Sequence, residues 1–308
     1  AIDLHRAGSV LNEVKLLAEL VVVTLGGTAR GDGGFGQALV RNGRVRRVED
    51  AADRGSVLGG ERGLLGKGVD RHGSPGIVSQ SGAISPKILT MFDPTACTAV
   101  ITGASSGLGA EFARQLAPHA SALLMAARGQ ENLDTVAEEL RKAHPSLPVH
   151  TCACDVATPS GRSALLEAID AAGLRPNLLI NNAGVGDYGP VETGDAGRMT
   201  RLIDLNITGL LLLSHALIPR LIRSAEKPAG ILNVSSLASV LPLPGMALYA
   251  ASKAFVSSLS EAMSVELAPK HVVVTCVCPG PTPTQFSTSA KRSTGEDADR
   301  GGQDILRI

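Results

Sequence analysis

A tyrosine and a lysine four residues apart, Tyr249 and Lys253, are the residues of this 308-residue chain best suited to proton transfer. On a helix, residues at this spacing lie on one face. A free tyrosine titrates near about pH 10, and a nearby ammonium favours the phenolate, so we expect Lys253 to lower the pKa of Tyr249. Tyr249 would then protonate a carbonyl oxygen, or deprotonate an alcohol, near neutral pH.

A serine is placed to assist the same reaction. Ser236 lies thirteen residues before Tyr249 and just after an apolar, strand-like run. Its hydroxyl could donate a hydrogen bond to the oxygen that Tyr249 protonates. Tyr-x-x-x-Lys is common among ordinary surface residues, so this interpretation depends on finding a second motif.

That motif is a glycine-rich turn between a predicted strand and a predicted helix. The apolar run Cys97–Ile101 is followed by Gly103, Gly107 and Gly109, spaced as Gly-x-x-x-Gly-x-Gly. Free backbone N–H groups at the start of the helix form an anion site suited to a pyrophosphate. Glycine is expected there because a Cβ would block the phosphate and because the turn favours positive φ. A glycine turn without a ligand is the alternative. The expected cofactor-binding residues of the turn are Gly103, Ser105, Ser106, Gly107, Leu108 and Gly109.

Three later strand ends carry further candidates for cofactor binding. Arg128 follows the second strand, where an acidic residue would select NAD, so a guanidinium there predicts NADP; a solvated arginine is the alternative. Asp155 and Val156 follow the third strand and are expected to border the adenine. Small residues after the fourth strand would allow close approach of the cofactor: Asn182, Ala183 and Gly184.

From Met91 onward, strands and helices alternate. This pattern predicts an α/β fold of the Rossmann-like, doubly wound class, with a parallel sheet and helices on both faces. The motifs fall where such sheets bind ligands, at the carboxyl ends of strands. The predicted strands are Cys97–Ile101, Ala122–Ala126, Val149–Cys154, Asn177–Asn181, Gly230–Val234 and Val272–Cys276. The predicted helices are Leu108–Ala117, Asn132–Lys142, Ser160–Ala171, one within Asp195–Ser224, and Tyr249–Leu267.

Together these residues resemble the short-chain dehydrogenases/reductases over roughly residues 95 to 284. The matching motifs are Thr102 to Gly109, Asp155-Val156, Asn181 to Gly184, Asn206, Ser235-Ser236, Tyr249 to Lys253 and Pro279-Gly280. The resemblance implies NAD(P)-dependent interconversion of a carbonyl compound and an alcohol. It implies that Tyr249 is the acid/base, that Ser236 rather than Ser235 orients the substrate oxygen, and that Lys253 binds the nicotinamide ribose.

The resemblance carries three further expectations. Asn206 would hold a water in a proton relay. The residues near the nicotinamide amide would be Pro279, Gly280, Thr282 and Thr284. The long helices within Asp195–Ser224 and over Tyr249–Leu267 would pair across a two-fold axis, which predicts a homodimer or homotetramer.

The chain departs from the family pattern after Gly280. The family continues through a substrate loop, a helix and a last strand, whereas here 28 mostly polar residues follow Gly280. We therefore expect the substrate lid and last strand to be missing. This favours an alternative function, a nucleotide-binding or scaffold protein of the same fold with little turnover.

The first 90 residues differ from the rest of the chain. They hold 17 of the 35 glycines and little periodic apolar pattern, which predicts a loosely ordered extension before a cofactor-binding domain at 91–308. A Gly-x-Gly-x-x-Gly match at Gly31–Gly36 is interpreted as chance, because no strand and helix frame it.

Composition narrows the class of partner. Equal numbers of basic and acidic residues, 29 of each, argue against nucleic acid and anionic membranes as partners. The apolar stretch Leu205–Ile222 contains polar residues and is interpreted as a buried helix, not a membrane span. Two Cys-x-Cys pairs, Cys152/Cys154 and Cys276/Cys278, are interpreted as reduced strand cysteines of a cytoplasmic protein; a zinc site is the alternative, and no metal is expected.

Overall fold

The computed structural model describes residues 38–41, 44–47, 97–223, 229–280, 282, 286 and 290. The predicted glycine match at Gly31–Gly36 and the candidate Thr284 lie outside these residues. Strands β1 (Ala38–Arg41) and β2 (Arg44–Arg47) form an antiparallel hairpin. We did not predict this hairpin, although Asn42-Gly43 between the strands is the dipeptide favoured in two-residue hairpin loops.

The six remaining described strands form one parallel sheet in the order β5-β4-β3-β6-β7-β8. The chain moves outward from β3 to β5, returns to the other side of β3, and continues outward to β8. This reversal beside β3 is the switch point at which doubly wound sheets bind ligands. The strands are β3 (Cys97–Thr102), β4 (Ala120–Ala127), β5 (Val149–Ala153), β6 (Leu178–Asn181), β7 (Ala229–Val234) and β8 (Val272–Val277).

Helices cover both faces of this sheet. Alternate residues of one strand serve opposite faces: Ile101 of β3 belongs to one apolar cluster and Val100 to the other. The first cluster includes α1 and α2, and the second includes α3, α5 and α6. The helices are α1 (Gly107–Leu116), α2 (Gln130–Ala143), α3 (Pro159–Ala171), α4 (Ala196–Ile203), α5 (Leu210–Arg223) and α6 (Ala247–Leu267). The predicted fold class is confirmed, with element ends displaced by only a few residues.

The long helix predicted within Asp195–Ser224 is interrupted. A π-helical segment, Asp204–Gly209, joins α4 to α5. By length and composition the whole helix Ala196–Arg223 could cross a membrane. Its inner face, however, contains the buried Leu213, Leu217 and Leu221, which pack in the second apolar cluster as residues of a core helix do.

Within the described residues, β8 is the last strand of the sheet and lies at its edge. The expectation that a further strand is missing concerns residues 281–308, of which only 282, 286 and 290 are described.

Candidate active site

The glycine turn connects β3 to α1 at the switch point of the sheet. Gly103 and Gly107 have positive φ values, 67° and 54°, which a residue with a Cβ adopts only at a cost. Helix α1 begins after Ser106, whose side chain makes no capping hydrogen bond, and its first turn has no acidic residue. The first N–H groups of α1 therefore keep their capacity to bind an anion.

Two of the glycines are also required by packing within the protein, a reason that we did not predict beside the expected positive φ and close approach of a phosphate. A Cβ on Gly109 would lie 2.2 Å from the carbonyl oxygen of Gly103. A Cβ on Gly103 would lie 2.8 Å from the Asn182 side-chain nitrogen and 2.9 Å from the Ala183 Cα. The turn folds so tightly onto the end of β6 that neither position has room for a side chain.

Asn182 and Thr102 hold this turn in place. The Asn182 amide donates hydrogen bonds to the carbonyl oxygens of Thr102 and Gly103, at 3.0 and 3.1 Å. The Thr102 hydroxyl accepts from the backbone N–H groups of Asn182 and Ala183, both at 3.1 Å. Asn182, predicted to contact the cofactor, thus uses its side chain to shape the turn. Thr102 belonged to the recognised motif, but its sequence position alone gave no sign of this role.

In a doubly wound sheet, ligands bind in a cleft outside the carboxyl ends of the strands. The end of this cleft at which we predicted the adenine carries a pair of charges. One Asp155 carboxylate oxygen accepts from the Ala157 N–H at 3.1 Å, and the other lies 2.8 Å from the Arg201 guanidinium. Burial raises the pKa of Asp155, but the hydrogen bonds and the charges of Arg201 and Arg128 outweigh it and keep that pKa below its usual range. Arg201 was not among the predicted residues, because no local pattern links it to Asp155. Val156 is buried beside this pair, and Arg128 is exposed at the end of β4.

Asn206 lies in the π-helical segment and faces the sheet. Its side-chain oxygen accepts from the Val185 N–H, and its nitrogen donates to the Val185 carbonyl, both at 2.9 Å. The nitrogen also donates to the Ser252 hydroxyl on α6 at 3.1 Å. π-helical turns are frequent at functional sites. Here the turn brings Asn206 against the loop after β6 and against the helix that carries Tyr249 and Lys253.

Tyr249 is buried, with 7% of its surface exposed. Burial raises its pKa, and a hydrogen bond with Ser236 opposes that rise. The pKa of Tyr249 is therefore raised, whereas we predicted from the sequence that Lys253 would lower it. The Lys253 nitrogen lies 5.8 Å from the centre of the Tyr249 ring. At this distance the ammonium does not overcome the cost of forming a phenolate in a buried position.

Lys253 is buried beneath Tyr249 and donates a hydrogen bond to the Val234 carbonyl at 2.8 Å. Burial lowers its pKa to about 8, and nearby Cys276 and Cys278 oppose that shift. A Cβ on Gly184 would lie 3.3 Å from both the Lys253 nitrogen and the Asn206 side-chain oxygen. Gly184 therefore marks the point at which the two side chains converge.

The two adjacent serines have different surroundings. Ser236 lies two residues after β7 and interacts with Tyr249, which is the position expected for the substrate-orienting serine. Ser235 instead donates to the Lys253 carbonyl and shares a hydrogen bond with Ser257, both at 2.8 Å. The structure thus places Ser236, and not Ser235, against the tyrosine hydroxyl.

The residues predicted to border the nicotinamide amide follow β8. The Pro279 carbonyl accepts from the Leu237 N–H at 2.9 Å, which fixes this loop to the segment that contains Ser236. The Thr282 hydroxyl donates to the Gly280 carbonyl at 3.0 Å. Thr284 lies outside the described residues.

An aromatic side chain that we did not predict covers the tyrosine. The rings of Phe286 and Tyr249 lie 5.4 Å apart, centre to centre. A Cβ on Gly186 would come within 3.0 Å of the Phe286 ring. Part of the segment after Gly280 therefore packs over the site, although we expected the lid to be missing. The signal in the sequence was a lone phenylalanine in a polar stretch.

These residues fit a dinucleotide. The uncapped start of α1 suits a pyrophosphate, and Gly184 leaves space beside Lys253. Among the described residues, no three of His, Cys, Asp and Glu gather as metal ligands. The arrangement can hold an anion at one end of a cleft and move a proton at the other.

A family comparison identifies the same region. The model of the short chain dehydrogenase family matches residues 97–295. Sulfoacetaldehyde reductase 2 of Chromohalobacter salexigens is 35% identical over 189 residues, which cover 61% of this chain and 73% of that protein. The very-long-chain 3-oxoacyl-CoA reductase of Phaeosphaeria nodorum is 35% identical over 196 residues, which cover 62% of this chain and 56% of that protein.

Solved structures show the same likeness. A short-chain dehydrogenase from Sphingobium yanoikuyae in complex with NADPH is 36% identical, with a TM-score of 0.59 and coverage of 63% of this chain and 74% of that one. The 3-ketoacyl-(acyl-carrier-protein) reductase from Brucella melitensis complexed with NADH is 29% identical, with a TM-score of 0.59 and coverage of 64% and 80%. The two structures hold different nicotinamide cofactors.

Proposed function

The chain belongs to the short-chain dehydrogenase family of oxidoreductases, and from that premise we propose that it interconverts a carbonyl compound and an alcohol with NADP as its preferred cofactor. One observation carries the proposal. The convergence of Lys253 and Asn206 on Gly184, with Ser236 beside Tyr249, lies at the carboxyl ends of the strands that also present the glycine turn.

The protein residues supply the proton chemistry. The nicotinamide, when bound, supplies or accepts the hydride. In reduction, neutral Tyr249 donates its proton to the carbonyl oxygen as negative charge develops there, and Ser236 donates a hydrogen bond to the same oxygen. The raised pKa of Tyr249 keeps the hydroxyl protonated, which suits the reductive direction.

Lys253 and Asn206 are proposed to position and replenish that proton. Lys253 is held by the Val234 carbonyl and can bind a ribose hydroxyl with its remaining N–H groups. Both polar atoms of the Asn206 side chain are engaged by Val185 in this structure. A relay water would therefore bind near Asn206 at the backbone of this loop.

The preference for NADP depends on charge at the other end of the cleft. Arg128 and Arg201 supply positive charge there, and Asp155 is occupied by Arg201 and the Ala157 N–H. An Asp155 carboxylate that is already paired with Arg201 repels a ribose phosphate less than an unpaired carboxylate would. The exposed Arg128 guanidinium can pair with that phosphate. NAD remains the less favoured cofactor.

The substrate side is apolar, which favours a carbonyl compound with a hydrocarbon portion of small or medium size. Five partly buried residues surround Tyr249 and Ala250 in one cluster: Val185, Leu243, Met246, Leu248 and Phe286. The relatives are named for a sulfonated aldehyde and for 3-oxoacyl-CoA substrates; the apolar cluster favours the second chemistry.

We also propose that the protein is a cytoplasmic homodimer or homotetramer. Exposed apolar residues occur on the outer faces of two helices: Leu211 and Leu212 of α5, and Val265 of α6. All five cysteines of the chain lie in the described part and are unpaired, which suits a reducing compartment. Light scattering of the full chain should give at least a dimeric mass, and a strictly monomeric mass would contradict the proposal.

The function is tested by following NADPH oxidation by the purified chain with a panel of aldehydes, ketones and 3-oxoacyl thioesters. We expect turnover that is greatest with apolar ketones or thioesters and weaker with NADH. Binding of NADPH without reduction of any compound in the panel would favour the alternative function, a nucleotide-binding protein with little turnover.

A further inference from the structure

Two cysteines without a role in the proposed chemistry lie directly behind the site. Cys276 and Cys278 are two residues apart at the end of β8, so their side chains leave the same face of the sheet. The two thiols interact, because each alters the pKa of the other. The Ser257 hydroxyl lies 3.9 Å from the Cys276 sulfur and 4.0 Å from the Cys278 sulfur.

The pair is connected to the backbone of Lys253 through two serine hydroxyls. Ser257 shares a hydrogen bond with Ser235 at 2.8 Å, and Ser235 donates to the Lys253 carbonyl at 2.8 Å. The backbone on either side of Cys278 makes a second connection. The Val277 carbonyl accepts from the Ser235 N–H at 2.8 Å, and the Pro279 carbonyl accepts from the Leu237 N–H at 2.9 Å. These two bonds flank Ser236, so a displacement at Cys278 is transmitted to the serine that orients the substrate.

We propose that Cys276 and Cys278 form an oxidisable dithiol site, in which a peroxide converts the pair to a disulfide and thereby displaces Ser236. In the first step, one sulfur of the pair attacks a peroxide oxygen, the O–O bond breaks, water departs, and that cysteine becomes a sulfenic acid. The other sulfur then forms the S–S bond, and the sulfenic oxygen leaves as a second water. Two electrons pass from the two sulfurs to one peroxide, and a dithiol reductant returns them.

The geometry favours this reaction and gives it a consequence. Cys276 is partly exposed, which admits a small oxidant, whereas Cys278 is buried. The Cys276 thiol and the hydroxyls of Ser239, Ser257 and Ser235 lower the pKa of Cys278 against the effect of burial, which favours a thiolate in the pair. Cα atoms two residues apart on an extended strand are separated by about 6.6 to 6.8 Å, the upper limit for a disulfide. Closing the ring therefore contracts the backbone around Val277, whose carbonyl accepts from the Ser235 N–H, and displaces Cys278, which lies between the two bonds that flank Ser236.

The second Cys-x-Cys pair supplies a matched control. Cys152 and Cys154 occupy the end of β5, the opposite edge of the described sheet, and each of these thiols likewise alters the pKa of the other. The Cys154 N–H donates to the Ala127 carbonyl of β4 at 2.9 Å, and within the described part of the chain no hydrogen bond joins this pair to Ser236. Oxidation there should leave the catalytic serine in place.

The test treats the full chain with hydrogen peroxide and then maps its peptides by mass spectrometry. We expect the peptide containing Cys276 and Cys278 to lose the mass of two hydrogen atoms and to regain it with dithiothreitol. Carbonyl reduction should fall by roughly 10²-fold and return with the reductant, because a displacement near 1 Å at a catalytic group has that effect. The double variant Cys276→Ser/Cys278→Ser should keep its activity in peroxide, whereas Cys152→Ser/Cys154→Ser should remain sensitive.

The peptide map does not require enzyme activity, so it stays decisive if the proposed function fails. An unchanged mass for this peptide, or protection by the Cys152→Ser/Cys154→Ser change, would overturn the proposal. If the Cys276→Ser/Cys278→Ser protein does not fold, Cys276→Ser alone still prevents ring closure. The proposal would also be overturned if Cys276→Ser/Cys278→Ser or Cys276→Ser were as sensitive to peroxide as the unaltered chain.

Discussion

The two ends of the cleft differ in how their ionisable side chains are stabilised. At the end with Tyr249 and Lys253, both side chains are at least nine-tenths buried, and burial dominates the pKa of each. At the end with Asp155 and Arg201, the side chains are 24% and 40% exposed, and an ion pair sets the pKa of the carboxylate. Charging a buried group costs free energy, so a buried group can hold its proton until the reaction requires it. Exposed charges cost little free energy to maintain, and they can discriminate between cofactors.

The comparison predicts that changes at the buried end will affect turnover most. Tyr249→Phe removes the proposed proton donor while leaving the ring against Phe286, so kcat should fall by roughly 10²-fold or more with the protein still folded. The chain has one other tyrosine, Tyr188, which is the matched control. Tyr188→Phe should retain most of the activity, and a Tyr249→Phe protein with near-normal kcat would remove the basis for the assignment.

Lys253 should reveal the thermodynamic cost of the buried end. Its folded pKa of about 8 lies below its ordinary value of 10.5, so the unfolded chain binds more protons between these values and stability must rise with pH in that window. The rise corresponds to about 3 kcal/mol at about 1.4 kcal/mol per pKa unit. Urea unfolding of Lys253→Met from pH 7.5 to 10.5 should lack this rise. A variant whose stability follows the same pH slope as the original chain would show that Lys253 is not the group responsible.

At the exposed end we expect a smaller effect, on cofactor choice. Arg128→Ala should reduce the preference for NADPH over NADH in kcat/KM by about tenfold, equivalent to about 1.4 kcal/mol, and leave kcat with saturating cofactor nearly unchanged. Arg128→Lys keeps the charge but loses the planar fork, so it should retain part of the preference. Equal use of the two cofactors by the unaltered chain would contradict the role given to this end.

The smallest expected effect concerns the Asp155–Arg201 pair. The pKa of Asp155 is lowered in the fold, so its contribution to stability is present above the unfolded value near 3.8 and is lost as pH falls through the folded value. Asp155→Asn should cost less than about 1 kcal/mol at pH 7, and the difference from the original chain should shrink below about pH 4. Asp170→Asn, which alters a different ion pair, controls for surface charge. A difference that grows on acidification would have the wrong sign.

The same contrast separates what the sequence could predict from what it could not. The strands, the glycine turn and the Tyr249–Lys253 spacing were predictable because each depends on residues close together in the chain. The Asp155–Arg201 pair joins residues 46 positions apart, and Asn182 reaches back 80 positions to the Thr102 carbonyl. Such contacts depend on the order of strands in the folded sheet, and no local pattern encodes them.

The pKa of Tyr249 shows the limit most clearly. We predicted correctly that Tyr249 and Lys253 lie on one helix, but the predicted direction of the Tyr249 pKa shift was wrong. The sequence indicated a neighbouring cation but not that Phe286 and an apolar cluster would bury the phenol, or that burial would also lower the pKa of Lys253 itself. Desolvation is a property of the assembled site.

The most direct test of the central claim is the fate of the transferred hydrogen. NADPH deuterated at C4 of the nicotinamide would be mixed with the full chain and the best carbonyl compound from the panel, and the alcohol analysed by mass spectrometry. We predict deuterium on the former carbonyl carbon, formed at a rate that Tyr249→Phe lowers by roughly 10²-fold and Tyr188→Phe does not. An alcohol without deuterium, or one labelled equally fast by the Tyr249→Phe protein, would contradict the account.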